Sequence, residues 1–305
     1  MILTVTLNPS VDYVVRVEQF NEGHLNRTDQ TTFYAGGKGI NVSQVLKELD
    51  VQSTATGFTG GFSGRFIEET LAEKQIKADF IHVEDHSRIN IKLKTNEETE
   101  INAAGPVISA EKVSELIELI SRYGKSDTLV LAGSIPSSVE RDLYGKLAAA
   151  AYQNEMHVVI DSEKSLLEPA LGTPLTLIKP NHKELGGYVG RDIQTVEEAV
   201  IYGRQFYQDH HIDYLMVSMA EHGAVLFAGE DTYVATPPKG ELINSVGAGD
   251  SSVAGFLAGL EKGYSLEETF ALSMACGAAT AFSEGLAVKE QIDHYLPMVQ
   301  IRGLV

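Results

Sequence analysis

The 305-residue chain carries 24 Lys and Arg against 42 Asp and Glu, a formal net charge of −18, and is 43% hydrophobic and 22% charged. The length allows one large α/β domain with an appendage or two ordinary domains, and nothing in the composition marks disorder. The acidic balance repels nucleic acid and anionic membrane, so neither is expected as a partner, and the single cysteine, Cys276 in ALSMACGAATAF, reads as a buried structural thiol in a reducing compartment.

The opening MILTVTLNPSVDY lacks a basic region followed by a long apolar one, and no later run reaches the length of a membrane span, so a cytoplasmic protein is expected. MILTVTL reads as a buried strand. Asp12 follows it, past an Asn-Pro break. A carboxylate just beyond a strand's carboxyl end suits the grip of vicinal hydroxyls, the alternative being a turn acid bonded to its own backbone. VDYVVRVEQF and NRTDQTTFYAGG then alternate polar and apolar residues at period two. Arg27, in HLNRTD, is a candidate for phosphate oxygens or a surface charge.

In YAGGKGINVSQVL, Gly36, Gly37 and Gly39 surround Lys38 and open an amphipathic helix carrying Asn41. The stretch is neither a Walker A loop nor a Rossmann turn. It is either a tight strand-to-helix turn or a site where Lys38 and Asn41 offer donors to a polyol or sugar phosphate. In HSRINIKL, Arg88 and Asn90 lie on one face of a strand, and Arg88 can fork onto phosphate oxygens or serve as a surface charge. NIKLKT and TEINAAGP resume the period-two pattern around a hairpin turn in KTNEETEI. These segments, approximately residues 11–36 and 88–104, are read as a small sheet over the mouth of the main domain. A sheet open on one face has an apolar surface to bury, so a homodimer joined through it is expected.

Downstream, the helical patterns ISAEKVSELIELISRY and SSVERDLYGKLAAAAYQN, with serines near their starts, alternate with the strand-like TLVLAG, HVVID and LTLIK. That order implies a mainly parallel sheet covered by helices on both faces. In IKPNHKEL, Asn181 and Glu184 are three apart at a helix start, a spacing that orders magnesium-bound waters or forms a capping box. Ser218 ends YLMVS and Gly223 opens GAVLF; they line a nucleotide pocket or form a β-turn link. In NSVGAGDSSVAGF, Gly247, Ala248 and Gly249 precede a helix of small residues, so its free N–H groups and dipole attract phosphate oxygens. Asp250 behind that turn is a helix-capping acid or a base aimed at the hydroxyl that receives the phosphate. The nine histidines are scattered, which argues against zinc, and GSIPSS lacks a nucleophile elbow.

AGGKGINVSQVL, NSVGAGDSSVAGF and NHKE, in this order, resemble the two signatures and the Asn-x-x-Glu motif of the ribokinase-like carbohydrate kinases, the PfkB family, over essentially the full chain. The resemblance implies a Rossmann-like three-layer α/β sandwich with a mainly parallel sheet, a single kinase domain over residues 1–305, and a β-sheet lid that serves as a dimer interface. It implies that Asp250 is the catalytic base and the Gly247–Gly249 turn, with Ala248, the anion hole. Asp12, Gly37, Lys38, Asn41 and Arg88, with the neighbouring Gly36, Asn90 and Arg27, map to the sugar-phosphate site. Asn181, Glu184, Ser218, Gly223 and Gly249 map to ATP and its Mg2+, which Asn181 and Glu184 reach through water. The second signature often begins Asp-Thr; Asn244 and Ser245 stand there instead, so ribokinase's monovalent-cation site is not carried over. TLNPSVD, GGKGINV and SRINIKL are most similar to the branch acting on ketohexose monophosphates. The implied reaction is ATP-dependent phosphorylation of fructose 1-phosphate to fructose 1,6-bisphosphate, with tagatose 6-phosphate as the alternative acceptor and a catalytically silent sugar-phosphate sensor as the alternative class.

Overall fold

The computed structural model describes residues 1–96 and 98–304. From the first residues, β1 (Ile2–Thr6), β2 (Ser10–Arg16) and β3 (Thr31–Gly36) lead into α1 (Lys38–Glu48), β4 (Ser53–Gly60) and α2 (Gly61–Glu73). The short β5 (Lys77–Ala78) and β6 (Ile81–Val83) precede β7 (Arg88–Lys94) and β8 (Glu98–Ile101). Helices and strands then alternate: α3 (Ala110–Ile120), β9 (Thr128–Ala132), α4 (Leu143–Gln153), β10 (His157–Asp161), α5 (Lys164–Leu167) and β11 (Leu175–Ile178). The chain continues through α6 (His182–Val189), α7 (Val196–Asp209), β12 (Ile212–Ser218), β13 (Ala224–Ala228) and β14 (Asp231–Thr236). It closes with α8 (Ala248–Glu261), α9 (Leu266–Ala281), α10 (Lys289–Tyr295) and β15 (Gln300–Leu304).

Among the described residues eleven strands form the main sheet, in the order β15-β14-β13-β12-β11-β10-β9-β1-β4-β5, with β6 also on β4. It is parallel from β12 to β5 and antiparallel from β12 to β15, a mainly parallel α/β sandwich as the alternation implies. Period two divides the core. Leu3, Val5, Leu129, Leu131, Val158 and Ile160 pack under α3, α4, α6 and α7 on one face. Ile2, Val130, Val159 and Leu177 meet Phe256, Leu257 and Phe270 of α8 and α9 on the other. Carrying those parities one step on, Asp161 follows Val159 and Lys179 follows Leu177, so both charges project toward the α8 face where the strands end. Since β4 and β9 flank β1 on opposite sides, this is also where the strand order reverses, the place open α/β sheets offer to ligands.

β2, β3, β7 and β8 form the second sheet, in the order β3-β2-β7-β8, with β2 and β7 parallel and the outer pairs antiparallel. Glu97, in the expected hairpin turn, lies outside the described residues. One face carries Asp12, Arg16, Asn90, Lys92 and Lys94; on the other, Phe33, Tyr13, Ile91 and Ile101 stand in one cross-strand row. The polar face roofs a cavity of about 610 Å³ that reaches α1 and includes Asp12, Gly36 and Asn41 in its walls.

Two elements differ from the sequence reading. α4 starts at Leu143, five residues after the serine pair, because Ser138 is used elsewhere: its hydroxyl accepts from the Ile108 amide at 2.9 Å. β4, STATGFTG, is buried throughout yet lacks the run of large apolar residues that marks its neighbours. Cys276 is buried, and burial pushes its thiol up, out of the reactive range. Among the described residues no helix is long and apolar enough to cross a membrane.

Candidate active site

The site is built at the junction of β1, α1 and α8. α1 docks its first turn onto the end of β1: the Ile40 amide donates to Thr6 Oγ1 at 3.0 Å, and a Cβ at Gly39 would stand 2.6 Å from that oxygen. Only a residue without a side chain permits this approach. The docking aims Lys38 and Asn41, one turn apart on α1, at the N-terminus of α8.

There Gly247 caps α8 in the left-handed region, at φ 82°, without any side-chain cap. The first helical amide bond runs from Ser251 to the Gly247 carbonyl at 2.8 Å, and the Gly249 and Asp250 amides have no acceptor among the described backbone bonds. Two unpaired N–H groups and the helix dipole therefore point at one spot. Asp250, 4% exposed, sits beside them. Its Oδ2 accepts from Asn41 Nδ2 at 2.8 Å and its Oδ1 lies 4.0 Å from Lys38 Nζ. Burial pushes this carboxyl up to about 6, against the opposing pull of the Lys38 charge.

Two charged residues absent from the sequence reading complete the centre. Asp161 Oδ2 accepts from Lys38 Nζ at 3.0 Å, and its Oδ1 stands 3.4 Å from Lys179 Nζ. Lys179 Nζ is also 3.1 Å from where a Gly249 Cβ would lie, directly beneath the turn. Burial favours the neutral form of Asp161, yet Lys179 and Lys38 outweigh it and hold the carboxyl below its ordinary range. For Lys38, burial is likewise outweighed, by Asp161 and Asp250, so the ammonium persists. The available signal was positional: HVVID and LTLIK each end an apolar run on a charge, at the carboxyl end of a parallel strand.

On the lid, Asp12 Oδ1 takes hydrogen bonds from Ser10 Oγ at 2.7 Å and Asn90 Nδ2 at 3.0 Å. Asp12 Oδ2 accepts none of the described bonds and points toward Gly36, where a Cβ would come within 2.6 Å. Asp12 thus lies within β2 rather than in a turn, with one oxygen fixed and the other open. Asn90 is spent on positioning: its amide nitrogen serves Asp12 and its oxygen accepts from the Ala103 amide at 3.2 Å. Arg88 Nε donates to the Asn8 carbonyl at 3.1 Å and Nη1 to that of Ala103 at 3.4 Å, leaving Nη2 without a described partner. Burial draws its pKa below the usual arginine value, with Asp12 opposing. Arg27 is exposed in the β2–β3 connection and makes no hydrogen bond or ion pair among the described contacts.

Asn181 and Glu184 form a reciprocal capping box on α6: the Glu184 amide donates to Asn181 Oδ1 and the Asn181 amide to Glu184 Oε2, both at 2.8 Å. Ser218 lies alongside, its amide donating to the Pro180 carbonyl at 3.0 Å. Asn181 and Ser218 also form an isolated parallel bridge, two residues beyond Lys179. Gly223 closes the turn between β12 and β13 at φ 94°, its carbonyl accepting from the Met219 amide. The centre thus has an anion-binding turn, a buried carboxylate and two lysines between a polar lid and an α6–β12 rim. Such a layout suits phosphoryl transfer between a ligand on each side.

A pfkB family carbohydrate kinase profile matches residues 5–292. The chain belongs to the pfkB family. A pfkB relative, the 1-phosphofructokinase of Bacillus subtilis, is 50% identical over the whole of both chains. The tagatose-6-phosphate kinase of Staphylococcus epidermidis is 34% identical over 93% of each. Among solved structures, Escherichia coli phosphofructokinase-2 in complex with substrates and products superposes with a TM-score of 0.93 at 25% identity, covering 97% of this chain and 98% of that one. As a pfkB kinase, the protein is a sugar-phosphate kinase on the ribokinase-like fold that its sandwich and lid display.

Proposed function

We propose that the chain transfers the γ-phosphoryl group of ATP to the free primary hydroxyl of a ketohexose monophosphate, with fructose 1-phosphate the preferred acceptor. The observation that carries this reading is the buried Asp250 carboxylate next to the two unpaired amides of α8. The amides take charge from the transferring phosphoryl group while Asp250 faces the hydroxyl. So weak a base cannot ionise an alcohol beforehand; it orients the hydroxyl and accepts its proton as the O–P bond forms. Asn41 fixes one carboxylate oxygen and leaves the other toward Lys38.

On the acceptor side, Asp12 Oδ2 grips sugar hydroxyls, and Lys38 and Arg88 hold the phosphate already present. In a chain of net charge −18 these local cations must offset a general repulsion of dianions. Lys179 lies on the donor side, with Asn181, Glu184, Ser218 and Gly223 lining the nucleotide's approach. Among the described residues no group of three or more His, Cys, Asp or Glu builds a metal cage. Glu184 Oε1 accepts none of the described bonds, so the donor set fits a Mg2+ that arrives on ATP phosphates and is reached by Asn181 and Glu184 through water. The metal supplies charge neutralisation there.

Tagatose 6-phosphate is the second reading, since as furanoses both sugars present one phosphate and one primary hydroxyl on opposite arms. The 50% identity with a 1-phosphofructokinase, against 34% with a tagatose-6-phosphate kinase, supports the first. A homodimer joined through the apolar lid face belongs to the same proposal. The test is kcat/KM for fructose 1-phosphate, tagatose 6-phosphate and fructose 6-phosphate with Mg-ATP. Fructose 1-phosphate is expected to lead, and a higher value for either competitor would replace it as the preferred acceptor.

A further inference from the structure

We propose that Asp161 is a positioning residue: it holds Lys38 on one of its oxygens and Lys179, beside the α8 turn, on the other, and so keeps Lys38 from closing onto Asp250. The inference deepens the kinase reading and rests on it. Asp161 is 4% exposed at the end of β10, and each of its oxygens faces a lysine. Oδ2 holds Lys38 Nζ at 3.0 Å and Oδ1 faces Lys179 Nζ at 3.4 Å. Lys38 stands 4.0 Å from Asp250, so its nearer anion is Asp161.

Without Asp161, Asp250 would be the only one of these carboxylates left to the two lysines. An ammonium drawn tightly onto it would occupy the lone pair that must accept the hydroxyl proton, and would lower its basicity. Asp161 therefore permits two cations at a phosphate-transfer centre without neutralising the base. The groups that face Asp250 are Lys38 and Asn41 from α1, Asp161 from β10 and Lys179 after β11; burial sets its raised affinity for a proton, Lys38 and Lys179 oppose it, and Asp161 adds to it. The two residues joined by the 3.0 Å bond thus act on the base with opposite signs.

The test compares kcat against pH, at saturating Mg-ATP and sugar phosphate, for the wild type, Asp161→Asn and Lys38→Met. Substrate phosphate also titrates near about pH 6 and Lys38 contacts it, so the ionisation of the bound sugar phosphate is followed by phosphorus NMR in each enzyme and separated from the limb. For Asp161→Asn, the plateau kcat is expected to fall about tenfold or more, and the acid limb to move to lower pH by about half a unit or more. For Lys38→Met the limb is expected to move to higher pH. A purely structural role for Asp161 would lower stability or kcat without moving the limb, and an unmoved or rising limb in Asp161→Asn overturns the proposal. Should that variant not fold, Asp161→Glu, which keeps the charge and displaces the oxygens from the two lysines, takes its place, and there too an unmoved limb overturns the proposal. An inactive wild type would remove the kinase reading and this inference together, whereas an active wild type with unmoved limbs removes this inference only.

Discussion

Near neutral pH Asp250 is held ionised in a place that burial makes unfavourable for charge, its carboxyl raised from an ordinary 3.8 to about 6. A raised carboxylate binds its proton more tightly in the folded chain than in the unfolded one. Its destabilising effect is complete above the folded value and disappears as pH falls through about 6 toward the unfolded value. Asp250→Asn keeps the shape and removes the charge, so it is expected to stabilise the protein by about 1–3 kcal/mol at about pH 8, and progressively less toward about pH 4. The same variant is expected to lose about a hundredfold or more in kcat, with substrate affinity largely retained. Thermal melts at two pH values and steady-state kinetics read both effects; a near-wild-type kcat would return Asp250 to a capping role. Lys38→Ala and Arg88→Ala test the acceptor side. Each is expected to raise KM for the sugar phosphate about tenfold or more while moving KM for ATP much less, because each loses a charged contact made to only one substrate. Equal effects on both substrates would place the residue between the two phosphates.

The same distinction between local structure and chemistry arises for whole elements, most sharply at α6. Its capping box already accounts for Asn181 and Glu184 as helix-stabilising residues, and loss of the Asn181 side chain would cost about 1 kcal/mol on that ground alone. Glu184→Gln separates the roles, since the amide oxygen still accepts from the Asn181 amide while the charge is gone. The expected outcome is a melting temperature within about 1–2 °C of wild type and a Mg2+ requirement raised several-fold. An unchanged Mg2+ titration would leave only the cap. What was legible in the sequence follows the same line. β1, β9, β10 and β11 could be read because each is a short run of large apolar residues; β4 could not, because Thr, Ala and Gly fill a doubly buried strand without raising its hydrophobicity. Asp12, Lys38, Asn41 and Asp250 stood out because each adjoins a break or a glycine turn. Asp161 and Lys179 were passed over because a lone charge ending an apolar run also reads as the strand's solvent boundary. Only the pairing of β10 with β11 makes them neighbours, and no local pattern encodes that pairing.

At the scale of the molecule, the second sheet is tied down at one end and lightly held at the other. Its base is fixed where Val11 and Ala35 pack with Ile40 and Ile67, and where Arg88 bonds the Asn8 carbonyl. Its tip meets the α9–α10 connection through an exposed Arg16–Glu284 pair at 3.0 Å, and such a pair contributes no more than about 1 kcal/mol. That arrangement permits the lid to pivot over the cavity beneath it, and phosphoryl transfer to a sugar rather than to water requires Asp250 and the α8 amides to be closed off. The opposite face of the lid has its own requirement. Phe33, Ile91 and Ile101 are 53%, 37% and 58% exposed in one cross-strand row, and a second copy of the same row is the simplest cover for so apolar a surface. We therefore expect a homodimer at micromolar concentration, converted to monomer by Ile91→Asp, with a lid that moves toward Asp250 when sugar phosphate binds. Sedimentation of both proteins, with and without fructose 1-phosphate, tests the first expectation, and a wild-type monomer under all conditions would remove the dimer. Structures of the free and liganded protein test the second: a lid in the same position in both would remove closure while leaving the assignment as a kinase untouched, since Asp250, Lys38 and the α8 amides are already assembled beneath it.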